Sequence, residues 1–189
     1  MIFMGNDLQF QFDFKKSVQV ANFLIRKCGN EESVLKIMKL VFFADKAHLL
    51  KHGRTITGDD YFAMPHGPVA SSTYDTLKGE AFGEDAEYFQ EFIEVDGKHL
   101  KSISHVDEDE FSDSDIEILE EIFEKYGSYS AWELREMTHD EPEWKDNWEK
   151  RGQAQRIKIP LKDFFHGLSE DSISFRLAVD HSEALEYVN

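Results

Sequence analysis

The sequence has a single cysteine, Cys28, and one thiol cannot close an internal disulfide. A disulfide framework is therefore excluded, and the composition is typical of proteins of the reducing cytoplasm. The N-terminal stretch MIFMGNDLQFQF has neither a basic region nor a long apolar run, so we expect no signal peptide and no membrane span. A glycine-rich phosphate-binding loop and the G-x-S-x-G motif are also absent. The sequence thus predicts a cytoplasmic protein that is not an enzyme and needs no cofactor.

Positive charge is scarce as well. The chain has 21 Lys and Arg against 38 Asp and Glu, a formal net charge of −17. The imbalance is concentrated in residues 105–150, which contain 17 Asp and Glu and 4 Lys and Arg. A field of this sign repels phosphate backbones and favours basic partners, so we expect no direct binding to nucleic acid. The alternative is an acidic surface that serves only solubility.

Aromatic residues are plentiful, with 16 Phe, 6 Tyr and 3 Trp, and the chain can bury a substantial core. We expect a single mainly helical domain of the α+β class over residues 1–189, with a buried central helix and a small antiparallel sheet or hairpin. Residues 1–13 would form an N-terminal arm or strand, because QFQFDF alternates polar residues with Phe. Residues 105–150 would form an acidic helical half.

Apolar spacing and capping residues predict the helices. The first runs from about Lys15 to Cys28 and places Cys28 on its apolar face. The second begins with Asn30 as N-cap and ends at Gly53, and it is apolar almost all round, as a central helix would be. A third helix would begin at His66 to Val69, with Pro68 in its first position, and continue to Gly79.

Later segments carry clear turn and cap signals. Asp96-Gly97 lies between two strand-like runs and predicts a hairpin. Ser112 with Asp115, and Ser130 with Glu133, resemble capping boxes, while Pro142 would open a short helix. Residues 157–159 should be extended, residues 161–165 should make a helical turn, and residues 172–188 fit either a helix or a strand.

Three histidines are candidate metal ligands. His48 and His52 are four residues apart on the second helix, and His66 follows, but the glutamate of a metalloprotease helix is missing. We therefore expect no metal site. The purified chain should bind no stoichiometric zinc, and a chelator should leave its melting temperature unchanged. A chelator-induced drop of several degrees that zinc reverses would contradict this prediction.

Asp45 lies on the apolar face of the predicted central helix, where an unpaired carboxylate would be costly. Its candidate partners are Arg54, the hydroxyls of Tyr61 and Tyr74, and backbone N–H groups near Gly67. The favoured interpretation is a structural lock between the helix and the following turn. The alternative is a general acid or base with a raised pKa.

Several short motifs occur together in order: KLVFFADKAHL from Lys39, GRTITG from Gly53 and YFAMPHGPV from Tyr61. They resemble the Panacea domain of the SocA-like antitoxin family, most clearly over residues 14–79. The resemblance weakens through the hairpin and returns faintly at residues 128–144, in the stretch WELREMTH. The matched residues are identified as determinants of the fold: Lys39, Phe43, Ala44, Asp45, His48, Gly53, Ile56, Gly58, Tyr61, Gly67, Pro68, Val69 and Tyr74.

The resemblance implies an antitoxin that neutralises a bacterial toxin by direct protein–protein binding. An adaptor that delivers a toxin to a protease is the first alternative, and an enzyme centred on Asp45, His48 and His66 is the second. The charge favours a toxin with a basic surface, which would bind the acidic residues Asp107, Glu108, Asp109 and Glu110. The alternative binding site is the N-terminal arm, through Phe10 and Phe12.

Overall fold

The structure is a computed structural model that describes residues 7–186. Within these residues the chain forms eight α-helices, six short strands and two 3-10 helices. The helices are α1 (Phe14–Lys27), α2 (Val34–His52), α3 (Ser71–Leu77), α4 (Glu84–Phe92), α5 (Asp113–Tyr126), α6 (Ala131–His139), α7 (Pro142–Lys150) and α8 (Ile173–Glu186). The strands are β1 (Glu31–Ser33), β2 (Tyr61–Met64), β3 (Gly67–Ala70), β4 (Ile93–Asp96), β5 (His99–Ser102) and β6 (Ile157–Ile159). The 3-10 helices are Glu108–Glu110 and Leu161–Phe165. The predicted mainly helical α+β architecture is confirmed.

Helix α2 is the centre of the molecule. It packs against α1, α5, α6, α8 and β3, which bury residues on all its sides. Its end at Gly53 is as predicted, because this glycine adopts φ 71° and its N–H bonds the carbonyl of Leu49. Its predicted start was wrong. Asn30 has φ 73° and precedes β1, and the N-cap is Ser33, whose hydroxyl accepts from the N–H of Lys36.

The strands form two three-stranded antiparallel sheets, in the orders β1-β5-β4 and β3-β2-β6. The predicted hairpin is present as β4 and β5. The predicted helix start at His66 to Val69 was wrong, because Gly67 turns the chain at φ 98° and Pro68 lies in β3, where it pairs with Ala63 of β2. A proline lacks a ladder donor, which an edge strand tolerates. Helix α3 begins only at Ser71.

The acidic half follows its sequence signals closely. Ser112 and Ser130 each form a capping box, with Asp115 and Glu133, and Pro142 opens α7. Residues 173–186 form a helix, which settles the helix-or-strand alternative for that part of the segment; residues 187–189 lie outside the described residues. Cys28 packs half-buried against the core, where burial raises the pKa of its thiol. Among residues 7–186, no helix combines the length and apolar character that a bilayer-crossing segment requires.

Candidate partner-binding site

Asp45 is bound by the turn that follows α2. Its carboxylate is 1% exposed and accepts hydrogen bonds from the N–H groups of Ile56 (2.8 Å) and Thr57 (3.0 Å), from the Thr57 hydroxyl, and from the Tyr61 hydroxyl (2.9 Å). Burial raises the pKa of the Asp45 carboxyl, and the four donors oppose that rise. All four partners come from residues 56–61, so the carboxylate joins α2 to the start of β2.

Of the predicted partners of Asp45, only Tyr61 was right. Arg54 bonds Asp115 instead, and neither Tyr74 nor the backbone near Gly67 contacts this carboxylate. Sequence reasoning also missed a second lock of the same design at Asp59. That buried carboxylate accepts from the N–H groups of Ser72 (3.0 Å) and Thr73 (2.7 Å) and from the Thr73 hydroxyl (2.8 Å). It thereby fixes the start of α3.

The histidines belong to two separate clusters. His48 is fully buried, with Nδ1 at 2.7 Å from the carbonyl of Arg54 and Nε2 at 3.0 Å from the carboxylate of Asp115. The rings of His48 and His52 lie 4.6 Å apart, whereas His66 bonds Arg135 on α6. Over residues 7–186, no group of three or more His, Cys, Asp or Glu side chains is arranged to hold a metal ion. The zinc experiment therefore remains a prediction.

Asp115 gathers charge from three elements. Besides His48, its carboxylate contacts Arg54 Nη2 (2.9 Å), Lys16 Nζ (3.2 Å) and the backbone N–H of Ser112 (2.9 Å). Burial opposes ionisation, but the hydrogen bonds and the two cations hold the pKa of Asp115 well below its usual range. Asp115 thus fastens the start of α5 to α1 and α2.

The two stretches that resemble the family meet at Lys39. This amine is 1% exposed and donates to the carbonyl of Pro68 at 2.9 Å. A Cβ at Gly67 would lie 2.7 Å from the Lys39 nitrogen and 2.7 Å from the Thr138 hydroxyl, so α6 approaches the strand only because residue 67 is glycine. Burial, helped by the nearby charge of Arg135, lowers the pKa of Lys39 to about 7. Because the amine is sealed from solvent, we interpret the Lys39 junction as structural.

An aromatic patch lies beside this junction. Trp132 is 62% exposed, with the Arg135 guanidinium 5.6 Å from its ring centre and the His66 ring 6.3 Å away. Trp and Arg are enriched among residues that dominate protein interfaces. Sequence reasoning identified Trp132 only as part of the family motif. The sequence contains no local signal for the exposure of Trp132, because the capping box predicts the start of the helix but not which of its faces packs against the rest of the domain.

Several acids of the acidic half are paired with cations of α1, α2 and the turn after α2. These ion pairs are Lys16–Asp115 (3.2 Å), Lys27–Glu120 (2.6 Å), Lys46–Glu143 (2.7 Å), Lys51–Glu117 (2.7 Å) and Arg54–Asp115 (2.9 Å). Glu108 and Asp109 differ, because they are exposed and form no ion pair with any described residue. Part of the negative charge of this half is therefore engaged in ion pairs, whereas the segment 107–110 forms none with a described residue.

A buried glutamine connects that segment to α4. The Gln19 side chain accepts from the N–H of Asp107 (2.9 Å) and donates to the hydroxyl of Tyr88 (3.0 Å). Burial raises the pKa of Tyr88, the hydrogen bond with Gln19 opposes that rise, and the carboxylates of Glu110 and Asp107 add to it. We call the combined surface the acidic face. It consists of Asp107, Glu108, Asp109 and Glu110 with Glu84, Asp85, Glu87 and Glu91 of α4.

The N-terminal arm is docked on the domain over residues 7–13. Leu8 is buried and Phe10 packs against the core, while the N–H of Gln9 donates to the Ser182 hydroxyl (2.9 Å) and that of Asp13 to the carbonyl of Thr57 (2.9 Å). Phe12 is half-buried, and residues 7–13 form no strand. Residues 1–6 of the predicted arm lie outside the described residues. The described part of the arm is thus held by intramolecular contacts rather than free.

Comparison with protein-family models matches residues 37–145, more than half of the chain, to the family described as Antitoxin SocA-like, Panacea domain. No curated protein and no solved structure shows significant similarity to the chain. The matched range includes α2 from Ile37 onward, the Asp45 and Asp59 locks, the Lys39 junction and the acidic face. It excludes α1, β6 and α8.

Proposed function

This chain belongs to the SocA-like antitoxin family with a Panacea domain, and on that premise we propose that it neutralises a protein toxin by binding it directly at the acidic face. We also propose that the chain is not an enzyme and that binding alone inhibits the toxin. The observation that carries it is the run of four consecutive acids at residues 107–110, none of which forms an ion pair with a described residue, whereas Asp115, Glu117, Glu120 and Glu143 of the same half are paired. Unpaired exposed acids attract a basic surface and speed its encounter.

Two observations favour the acidic face over the N-terminal arm, the other site considered from the sequence. The N-terminal arm already fills a position on its own domain, so a partner would have to displace Leu8 and Phe10 before binding there. The acidic face needs no such rearrangement. Gln19 anchors the segment 107–110 to α1 and α4, so its carboxylates are presented on a fixed backbone. A preorganised surface loses less entropy on binding.

Reversal of Asp107, Glu108, Asp109 and Glu110 to Lys should slow association with the toxin. The toxin to use is the product of the reading frame beside this gene, if its expression alone arrests growth. We expect the association rate constant to fall roughly 10-fold or more at low salt. The loss should shrink at high salt, because exposed charges are screened beyond about 10 Å at 0.1 M. Stopped-flow mixing at two ionic strengths measures both.

A control for net charge reverses four acids elsewhere in the acidic half, the exposed Glu124, Asp140, Asp146 and Glu149. Equal slowing by both variants would reduce the effect to net charge and contradict a site at residues 107–110. Deletion of residues 1–12 tests the arm. Binding that survives the reversals but is abolished by the deletion would move the site to the arm. Toxin that disappears only in protease-competent cells would indicate the adaptor role instead.

A further inference from the structure

An apolar groove opens between α4 and β4, next to the acidic face. Its volume is about 390 Å³, and its apolar lining consists of Ala81, Ala86, Phe89, Ile93, Val95 and Ile103. Two large apolar side chains that line this groove reach solvent, Ile103 at 53% and Val95 at 36% exposed, and Phe82, the neighbour in the chain of the lining residue Ala81, is 85% exposed. Phe82 is the most exposed large apolar side chain among the described residues. A cluster of this kind on a charged surface is typical of a binding site.

One wall of the groove is the free edge of a sheet. In the order β1-β5-β4, strand β4 pairs on one side only. The N–H of Ile103 donates to the carbonyl of Phe92 (2.9 Å). Because the hydrogen-bonded pairs alternate along antiparallel strands, the backbone N–H and C=O groups of Glu94 and Asp96 also point toward β5. The backbone groups of Val95 therefore point away from β5, as does the carbonyl of Ile93. These groups can accept an added strand.

Carboxylates lie at and beside the groove: Glu94 lines it, and α4, which forms one wall, carries further acids. The exposed acids of α4 and β4 that form no ion pair with a described residue are Glu84, Asp85, Glu87, Glu91 and Glu94. Two nearby cations already form ion pairs, Lys78 with Glu80 (2.7 Å) and Lys101 with Asp96 (3.0 Å). This rim repels nucleic acid, anionic lipid and a second copy of the chain, which carries the same acids and a net charge of −17. It complements a cationic segment.

We propose that this groove binds an extended segment of the partner protein in which basic and apolar residues alternate. The segment would add to the edge of β4, place its apolar side chains against Phe82, Val95 and Ile103, and direct its basic side chains to the acids of α4. A strand presents alternate residues to opposite faces, which matches an apolar floor with a charged rim. The inference rests on the proposed function, in that the segment belongs to the toxin, and it extends the acidic face to a defined groove.

A synthetic peptide of about seven residues, alternating Lys with Val or Ile, tests the groove without the toxin. Added to the ¹⁵N-labelled full chain, it should shift amide signals of residues 81–103 in a saturable manner. A peptide with Glu in place of Lys should not bind, and one with Ser in place of the apolar residues should bind at least about tenfold more weakly. Equal binding of the Ser peptide, or shifts spread over all acidic segments, would overturn the proposal.

The double variant Phe82→Ser with Ile103→Ser should bind the peptide of alternating Lys and Val or Ile about tenfold more weakly, because both side chains are exposed and are not part of the core. Ile173→Ser is the control, because Ile173 is 80% exposed on α8, whose residues do not line the groove. Unaltered melting temperatures confirm that each variant folds. If the double variant binds peptide and toxin like the wild type, the groove is not the site, yet toxin binding through residues 107–110 stands. If wild-type protein binds no toxin, the proposed function fails whatever the peptide does.

Discussion

Replacement of Asp45 by alanine should lower the free energy of unfolding by roughly 3–5 kcal/mol, because it leaves several buried donors without an acceptor. The donors are the N–H groups of Ile56 and Thr57 and the hydroxyls of Thr57 and Tyr61. Asp45→Asn keeps the shape and one acceptor oxygen, so the expected loss is about 1–3 kcal/mol. Denaturant unfolding followed by circular dichroism measures both.

Asp60→Ala is the matched control for this pair. Asp60 is exposed and makes one surface ion pair with Lys158, so its replacement should change stability by less than about 0.5 kcal/mol. A second measurement separates structure from chemistry. An Asp45→Asn protein that is fully stable but no longer neutralises the toxin would refute the structural role and revive the acid–base alternative.

Replacement of Lys39 by methionine should change how stability depends on pH. The amine has a pKa of 10.5 in the unfolded chain and about 7 when folded. Between these values the unfolded state holds the additional proton, so the unfolding free energy of the wild type rises with pH, by up to roughly 1.4 kcal/mol per unit. Below about pH 7 both states are protonated and the cost of burying the charge is constant. A thioether does not titrate, so the variant would lack this dependence.

The measured quantity is the wild-type unfolding free energy minus that of Lys39→Met, at pH 6, 8 and 9.5. The difference should move in favour of the wild type by roughly 3–5 kcal/mol across that range. Other titrating groups are common to both proteins and cancel. Lys145→Met, at an exposed position, controls for the loss of one positive charge. A difference that is flat with pH would mean that Lys39 stays charged in the folded protein.

Local signals in the sequence predicted the acidic half well. Ser112 and Ser130 are correct caps because a capping box is a contact between residues three apart, which spacing alone specifies. The hairpin at Gly97 is correct for the same reason. Asn30 misled, because a residue suited to an N-cap also tolerates the left-handed conformation, and it uses that conformation here to start β1. Helix α4 has no side-chain cap at Gly83 and gave no start signal.

The candidate site depended on contacts that span the chain. The position of Asp45 on an apolar face indicated that its carboxylate needs a partner. Tyr61 could be named as a candidate because it follows α2 closely in the sequence. The assignment of Arg54 to Asp115 could not be predicted, since α5 returns to α2 only in three dimensions. The segment 107–110 was identified by charge alone. Its connection to α4 through Gln19 had no sequence signal, because a buried glutamine within an apolar stripe gives no indication of its partners.

The central position of α2 has a consequence for synthesis. Tyr61 in β2 pairs with Ile159 in β6, and the backbone of Gly53 packs against Leu177 of α8, so the C-terminal segments complete the covering of a helix made much earlier. A ribosome adds about 5–20 residues per second, and contacts this distant in sequence form late. Until residues 157–186 emerge, the nascent chain exposes apolar surface that chaperones and proteases recognise. A product truncated after residue 145 would contain the whole family-matched range and still lack β6 and α8. Loss of the last segments should therefore lower the amount of folded protein in the cell rather than yield a smaller active domain.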